Sequence, residues 1–236
     1  MNKHEIGVIH MPVELTLPEE LLILGIDDTH RFKLHFRSHQ KNYTVGTVLL
    51  ELLLREIIEM DEKGRLILTS SSMTGVPYLD RVIQLLAEHE RKPKNLKKWI
   101  IYFGNRNRLR NQVNQAVLES LQTKEVLKVE QSRFLFIPVK KFVVNMDARE
   151  YVVQKIRAEL LEEGPVEAQT VLLVFLLERA KLLGDYFSHY EEKQLKSRLK
   201  ELKEQDQQIA EWVKSVRKAM DEMDAAITTI IATTAS

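Results

Sequence analysis

Two clusters of side chains near the start of the chain have residue types that can do acid–base or metal chemistry. Asp27 and Asp28 are adjacent carboxylates, and the spacing of His35 and His39 can hold a metal ion on a helix, with His30 close by. Adjacent residues on a helix do not face each other, so we interpret the aspartates as the polar end of a helix entering a loop. The histidine segment looks non-helical and offers no evident third ligand, so we interpret it as a solvated loop. We therefore predict no metal site.

Known catalytic motifs are missing from the sequence. There is no G-x-x-x-x-G-K-[ST] or G-x-G-x-x-G phosphate loop, no H-E-x-x-H and no G-x-S-x-G. The chain has no cysteine, which excludes disulfides, thiolate catalysis and zinc–thiolate sites. We expect a protein that is not an enzyme, has no catalytic residues and needs no cofactor.

A basic stretch between residues 91 and 110 is a candidate binding surface. Alternate arginines at a helix start are suited to contact phosphate oxygens, because guanidinium groups and free backbone N–H groups both donate to them. The phosphate of a lipid headgroup or of a nucleic acid would serve equally, and a solvated charged face is the alternative. The net charge is only +1, so any such surface is local. The basic residues around Trp99 are Arg91, Lys92, Lys94, Lys97, Lys98, Arg106, Arg108 and Arg110.

A β-hairpin is predicted in EVLKVEQSRFLFIPV, residues 125–139, with a polar centre at Glu130–Arg133. Phe134, Leu135, Phe136 and Ile137 are consecutive, so half of these side chains must point away from one sheet face. A two-stranded unit with excess apolar groups is marginal alone. We expect it either to dock on the helices or to pair with another molecule.

Helices must position these surfaces, because helical spacing dominates the chain. Thr16 and Glu19 fit a capping box with Pro18 in the first turn, and the apolar run after them indicates a buried helix. A short strand is predicted at Lys33–Arg37, and a turn and strand around Gly64. Further helices are predicted at 47–60, at 78–89, around Trp99, and at 105–123, 147–162 and 166–188, the last two separated by Gly164-Pro165.

The last segment carries an apolar stripe with alternating spacings of four and three residues. We favour two helices that fold back on the domain with a break near Glu204–Gln208, and a long coiled coil is the alternative. The stripe consists of Leu195, Leu199, Leu202, Ile209, Val213, Val216, Met220, Met223, Ile227 and Ile230.

Composition supports a helical fold. Apolar residues make up 44 % of the 236 residues, and only 8 Gly and 6 Pro are present. We predict a mainly α fold in which amphipathic helices surround a buried helical core and a β-hairpin projects. Residues 1–12 are predicted to be a flexible N-terminus and 13–236 a single domain. The longest strongly apolar run, at 171–177, is far shorter than the ~20 residues of a membrane span, so we expect no crossing of a bilayer.

Several separated motifs resemble the Golgi phosphoprotein 3 family. LTLPEELLILGIDD at 15–28 is similar to the start of the family domain, VGTVLLELLLREII at 45–58 to its central buried helix, and TGVPYLD at 74–80 to a further motif. The family order continues with NLKKWI at 95–100, EVLKVEQSRFLF at 125–136 and AAITTIIATTAS at 225–236. The resemblance covers about residues 13–236, and its divergence looks like that of prokaryotic members.

The resemblance implies a non-enzymatic adaptor that is cytoplasmic and associates peripherally with membrane. Eukaryotic members bind phosphatidylinositol 4-phosphate and the cytosolic tails of glycosyltransferases, and they self-associate through the hairpin. For this chain it implies binding of phosphatidylinositol 4-phosphate or another anionic headgroup. A self-associating interaction scaffold without lipid specificity is the alternative, and nucleic acid is not an expected partner. The hairpin residues for self-association are Glu130, Arg133, Phe134, Leu135 and Phe136.

The lipid pocket of the eukaryotic members uses a tryptophan and three arginines. Counting along the motifs places the tryptophan at Phe36, the first arginine at Val45 before Gly46, and the other two at Asn111 and Asn114. An aromatic residue is kept, whereas all three arginines are replaced. We hypothesise that Phe36 inserts partly into the membrane and that nearby cations attract headgroups, each contributing about 1 kcal/mol. These cations are Lys97, Lys98, Arg106, Arg108 and Arg110.

Overall fold

Helices make up most of the computed structural model, which describes residues 13–70, 72–89, 91–134, 137–162, 164–205, 218, 221–230 and 232. The helices are α1 (Leu17–Leu24), α2 (Leu34–Arg37), α3 (Gln40–Leu54), α4 (Pro77–Glu88), α5 (Leu96–Gly104), α6 (Asn107–Thr123), α7 (Met146–Leu160), α8 (Ala168–Arg179) and α9 (His189–Gln205), with a 3₁₀ turn at Leu183–Asp185 and a last helical segment at 221–230. The strands are β1 (Ile58–Met60), β2 (Leu66–Leu68), β3 (Leu127–Phe134) and β4 (Ile137–Val144), paired β1 with β2 and β3 with β4. The predicted mainly α fold with a β-hairpin is confirmed. The flexible N-terminus predicted at 1–12 lies outside the described residues.

Helix α1 lies in the core, and every one of its residues is buried. Its start is the predicted one: the Thr16 N–H donates to Glu19 Oε2 at 2.8 Å in a capping box, and Pro18 occupies the first turn. The Leu17 N–H, which has no partner within the helix, donates to Glu51 Oε2 of α3 at 2.9 Å. Helices α3, α6, α7 and α8 contact α1. Carboxylates as well as apolar side chains therefore hold the core helices together.

Asp27 and Asp28 mark the end of this first element, as predicted. Asp27 Oδ1 accepts hydrogen bonds from the N–H groups of Thr29 at 2.8 Å and Arg31 at 3.1 Å, which fixes the turn. Desolvation raises the pKa of the Asp27 carboxyl, but hydrogen bonds from the Thr29 hydroxyl and from these two N–H groups lower it by more, so the net shift is downward. Asp28 pairs with Arg149 at 3.2 Å. Both carboxylates thus stabilise the chain where it leaves the helix.

The strand predicted at Lys33–Arg37 is wrong, because these residues form the turn that leads into α2. The N–H groups of Phe36 and Arg37 both donate to Lys33 O, at 3.0 and 2.8 Å. This turn carries the Phe36 ring into the core against Gly25, where a Cβ atom would collide with the ring. Burial of a whole aromatic ring outweighs the alternating pattern of a short polar stretch.

Helix α3 both begins and ends earlier than the helix predicted at 47–60. Glu56 adopts a left-handed conformation with φ of 54°, and the Ile57 N–H donates back to Leu52 O at 3.0 Å, which closes the helix. The chain then enters β1, which pairs antiparallel with β2. The four-residue spacing of Glu51, Arg55 and Glu59 continues across this boundary, so the spacing could not reveal it.

The hairpin is longer than the segment predicted at 125–139. Its register runs from the pair Leu127–Val144 to the pair Phe134–Ile137, so the predicted polar centre lies inside β3. The base of the hairpin is docked on the helical domain. The Phe142 N–H donates to His30 O at 2.8 Å, and the rings of Phe142 and Phe32 lie 4.8 Å apart. The base is therefore docked, and outer residues such as Glu130 and Arg133 are exposed. The apolar side chains at 134–137, on which the prediction of docking or pairing rested, lie outside what the structure describes.

The last helical segment folds back on the domain, as predicted. Met223 and Ile230 fill notches above Gly46 and Gly104, where a Cβ atom would collide with them. Arg179 of α8 donates to the carboxylates of Asp221 and Asp224, each at 2.7 Å. The described stripe residues Leu195, Leu199, Leu202, Met223, Ile227 and Ile230 are buried. The other stripe residues and residues 206–208 of the predicted break lie outside the described residues.

Candidate anion-binding groove

A groove of about 890 Å³ lies between α6, the segment at 32–41 and strand β4 of the hairpin. A second recess of about 440 Å³ shares Phe32, Arg37, Lys140 and Phe142 with it and adds Arg31. We call the two recesses together the basic groove. The hairpin forms one wall of the groove because Phe142 fixes its base to the helical domain. The fold itself therefore holds the walls of the groove in place.

The charges of the basic groove have one dominant sign. Among the described residues that line it, Glu119 is the single carboxylate. None of the lining cations forms an ion pair with a carboxylate in the described part of the chain. Unneutralised cations in a cleft concentrate positive potential, and arginine and lysine are strong donors to phosphate oxygens. The cations are Arg31, Arg37, Lys41, Arg108 and Lys140.

Amide side chains form the floor of the groove where α3 meets α6. Lys41 Nζ donates to Asn111 Oδ1 at 2.9 Å, and Thr44 Oγ1 donates to Asn114 Oδ1 at 3.2 Å. Gln40 Nε2 also donates to Asn114 Oδ1. Because both asparagine oxygens accept hydrogen bonds from the protein, the amide nitrogens of Asn111 and Asn114 are the groups left to donate to a ligand.

Three of the predicted site residues line the basic groove. Arg108 is exposed on its rim, and Asn111 and Asn114 lie on the same face of α6 below it. The asparagines are the positions that the family resemblance assigned to two pocket arginines. The geometry therefore brings those positions to a cationic cleft even though they carry no charge themselves.

Phe36, Val45 and Gly46 are buried in the core instead of lining a surface site. Phe36 is 0 % exposed and packs 5.6 Å from the Tyr43 ring, so the hypothesis that it inserts into a membrane is wrong. Gly46 faces Met223 of the last helical segment. Because these positions are buried and do not line the groove, they cannot contact a headgroup.

Arg106 and Arg110 lie outside the groove lining and are held by other residues. The Arg106 guanidinium stacks 3.7 Å from the centre of the Tyr102 ring. Arg110 donates to Asn42 Oδ1 at 3.0 Å and to Asn107 Oδ1 at 2.6 Å, and burial lowers the pKa of its guanidinium. The alternate arginines of α6 thus point to different surroundings, and only Arg108 faces the groove.

The predicted lysines at 97 and 98 belong to α5 and also lie away from the groove. The backbone N–H of Lys97 donates to Glu222 Oε2 at 3.1 Å, which joins α5 to the last helical segment. Lys98 is exposed. Neither lysine contributes to the charge of the basic groove.

Sequence reasoning missed the cations Arg37, Lys41 and Lys140. A signal existed, since residues 29–46 are visibly basic and Lys140 is followed directly by Lys141 in β4. These residues are distant in sequence from α6, and only the docking of the hairpin brings them to Arg108. The signal therefore gave the charge of each segment but not their meeting point.

Leu34 is the most exposed large apolar side chain in the described part of the chain, at 83 %. It lies in α2, beside the groove residue Arg37. Its neighbours are fixed: Lys33 pairs with Asp185 at 2.9 Å, and His35 Nε2 lies 2.8 Å from Lys181 O. Of the two apolar side chains in this turn, Leu34 thus faces solvent and Phe36 is buried.

Glu130, Arg133 and Phe134, three of the residues predicted to self-associate, lie in the outer half of β3. Glu130 and Arg133 are exposed in β3, and Glu130 pairs with Lys128 at 3.3 Å. Phe134 pairs with Ile137 at the end of the ladder. Leu135 and Phe136 lie outside the described residues.

Two further features bear on the class of protein. Within the described ranges, no three side chains of His, Asp or Glu converge as metal ligands. None of the helices described is long and apolar enough to span a bilayer. A comparison with protein-family models matches residues 17–223 to the family described as Golgi phosphoprotein 3 (GPP34).

Proposed function

Because the chain belongs to the Golgi phosphoprotein 3 family, we propose that it is a non-enzymatic adaptor that associates peripherally with membrane by binding an anionic lipid headgroup in the basic groove. The observation that carries this proposal is the cluster of cations around Arg37 and Arg108, which form no ion pair with any carboxylate of the described residues. A phosphate-bearing headgroup such as that of phosphatidylinositol 4-phosphate supplies the missing negative charge.

The recognition chemistry follows from the groups around the cleft. Arg37 and Arg108 can each donate two parallel hydrogen bonds to a phosphate, and Lys140 adds a point charge. The amide nitrogens of Asn111 and Asn114 donate to hydroxyl or phosphate oxygens at the floor. Cations from α2 and β4 thus replace, in function, the arginines that α6 lacks.

Leu34 gives the groove an orientation toward a bilayer. An apolar side chain that is exposed beside cations suits the boundary between headgroups and acyl chains. Full burial of a leucine contributes roughly 1.5–3 kcal/mol. We propose that Leu34, and not Phe36, enters the membrane when the groove binds a headgroup.

The adaptor role would connect such a membrane to other proteins on its cytoplasmic side. Family membership and the absence of catalytic motifs in the sequence support this role. The cytosolic tails of membrane proteins are the partners that it suggests.

Sedimentation with liposomes tests the lipid site. Full-length protein is mixed at low salt with vesicles of phosphatidylcholine alone, with added phosphatidylserine, or with added phosphatidylinositol 4-phosphate. Replacing Arg37 and Arg108 with alanine should weaken binding to anionic vesicles about 30-fold, because each cation contributes about 1 kcal/mol. Arg91→Ala and Arg106→Ala, outside the groove, form the control. No binding to anionic vesicles, or equal losses in both double variants, would contradict the proposal.

Leu34→Ser tests the orientation of the groove in the same assay. We expect about a tenfold loss of binding with an unchanged salt dependence, because only apolar contact is removed. Met73, which is 61 % exposed, provides the matched control Met73→Ser. Equal behaviour of the two variants would show that Leu34 does not enter the bilayer.

A second candidate function is a self-associating scaffold that does not recognise lipid. The exposed outer half of the hairpin favours it, because strand edges can pair with another molecule. Deletion of Glu130–Phe136 should then reduce the particle mass measured by light scattering. An unchanged mass would exclude assembly through the hairpin.

A further inference from the structure

A second cavity, of about 230 Å³, lies between the start of α1, helix α7 and the start of α8. It shares no lining residue with the basic groove, and its charge has the opposite sign. Three carboxylates, Glu14, Glu20 and Glu167, line it together with one cation, Lys155. We call it the acidic cavity.

Glu20 is the buried carboxylate of this cavity, at 3 % exposed. None of the described residues donates a hydrogen bond to its Oε2, and its Oε1 lies 3.9 Å from Lys155 Nζ, beyond hydrogen-bond distance. Lys155 Nζ instead forms an ion pair with Glu167 Oε2 at 2.7 Å. The Gln169 amide donates to Leu15 O at 2.9 Å. Within the described residues, Glu20 Oε2 thus has no hydrogen-bond donor, and the nearest cation to the carboxylate in the cavity is at a long distance.

The surroundings of Glu20 make its ionised form unfavourable. Burial raises the pKa of the Glu20 carboxyl to about 8, and Lys155 and Gln169 only partly oppose this effect. The carboxylates of Glu51 and Glu159 raise the pKa further. A buried carboxylate in this condition is stabilised most by a donor that carries a positive charge.

We propose that the acidic cavity binds a guanidinium or ammonium group on a short alkyl chain, with the Glu20 carboxylate as its acceptor. The terminal torsion of a glutamate side chain is broad, so an oxygen of Glu20 can turn toward the ligand. Glu14 and Glu167 are exposed and attract the cation to the mouth.

The shape and lining of the cavity fit this class of ligand. Tyr151, 47 % exposed, and Val13, 46 % exposed, offer aromatic and apolar surface to the alkyl chain and the cation. A volume of about 230 Å³ is below the ~300–1,000 Å³ of sites for drug-sized ligands, but it accommodates one side chain of the arginine or lysine type. Three carboxylates exclude an anion.

Binding must be coupled to a proton. At neutral pH Glu20 holds its proton. When the cation binds, the Glu20 carboxyl group releases that proton to solvent, and the cation keeps its positive charge. With half-titration near pH 8, the affinity should rise about tenfold from pH 7 to pH 9, and about 0.9 proton should be released per ligand at pH 7. A guanidinium remains protonated throughout this range, so the change reports on the protein.

Calorimetric titration of the full-length protein with N-butylguanidinium chloride tests the site. We expect saturable one-to-one binding with this pH dependence, and proton release measured in buffers of different ionisation enthalpy. Glu20→Gln should abolish both the binding and its pH dependence. Lys155→Met should strengthen binding, because the resident cation no longer competes. Glu88→Gln, an exposed position on α4, is the matched control and should change nothing.

Two further arms identify the ligand class. If a blocked Gly-Arg-Gly peptide binds more tightly than butylguanidinium, the cation is supplied by a polypeptide. Equal affinities of the two probes indicate a small alkyl cation as the ligand. Either result supports the site. No saturable binding of either probe at pH 9 overturns the proposal. Undiminished binding to the Glu20→Gln variant, or full competition by sodium at the same concentration, overturns it as well. These outcomes are independent of lipid binding in the basic groove.

Discussion

Glu20 should make the stability of this fold decrease as the pH rises. Burial raises the pKa of its carboxyl from 4.5 to about 8 in the folded state. Between these two values the folded state holds a proton that the unfolded state has lost. The stabilisation is therefore complete below pH 4.5 and is lost as the pH rises to about 8. Each pH unit in this window corresponds to about 1.4 kcal/mol, so the contribution lost by pH 7 is about 3 kcal/mol.

Glu20→Gln removes the titration and keeps the shape of the side chain. We expect the difference in free energy of unfolding to shift in favour of the variant by about 2–3 kcal/mol from pH 5 to pH 7, because ionisation of Glu20 in this range stabilises only the unfolded wild-type protein. Urea unfolding at several pH values gives the free energy of unfolding of both proteins. Glu88→Gln, at an exposed position, is the control and should run parallel to wild type.

The change with pH of the difference in free energy of unfolding between the two proteins tests whether the pKa of Glu20 is raised. A gap between Glu20→Gln and wild type that stays constant from pH 5 to pH 8 would show that Glu20 has an ordinary pKa. A gap that narrows with rising pH would show that Lys155 outweighs burial and holds the carboxylate ionised. Either result would also contradict the proton release predicted for cation binding in the acidic cavity.

Two further perturbations have expected signs. A side-chain hydrogen bond from Arg157 and hydrogen bonds from Ser188 lower the pKa of Glu191 to about 2. The stabilisation by the Glu191 carboxylate is therefore present above pH 4.5 and is lost as the pH falls toward 2. The variant Glu191→Gln should have a lower melting temperature than wild type at pH 7, measured by circular dichroism, and should approach the wild-type value at pH 3. Gly46→Ala should lower the free energy of unfolding in urea by about 1–3 kcal/mol, because the new Cβ atom meets the Met223 side chain. A second change, Met223→Ala, should remove that clash. The double variant is therefore expected to lose less stability than the sum of the losses in the two single variants.

Local signals were sufficient to predict the first helix and the ends of several others. Thr16, Pro18 and Glu19 determine a helix start through contacts within one turn, so their sequence order alone carries the information. Local signals were not sufficient to predict which side chain of α2 is buried. Leu34 and Phe36 alternate along the chain, and only the space beside Gly25 decides which of them is buried.

The basic groove could be predicted only in part, because its walls come from separate segments. Counting along the family motifs located Asn111 and Asn114, which do line it. The same counting suggested that the charge was lost, since the arginines were absent. Arg37 and Lys140 restore the charge from positions that no spacing rule connects with α6, because the docking of the hairpin is a long-range event.

A net charge of +1 conceals two sites of opposite sign. The fold collects cations such as Arg108 at the basic groove and carboxylates such as Glu20 and Glu167 at the acidic cavity. Salt should affect the two sites differently. Exposed cations are screened within a Debye length of about 8 Å at physiological ionic strength, whereas a buried carboxylate is screened much less. Binding of anionic vesicles should therefore fall steeply with added salt, while binding of an alkylguanidinium at pH 9 should fall little, so ionic strength separates the two activities without any mutation.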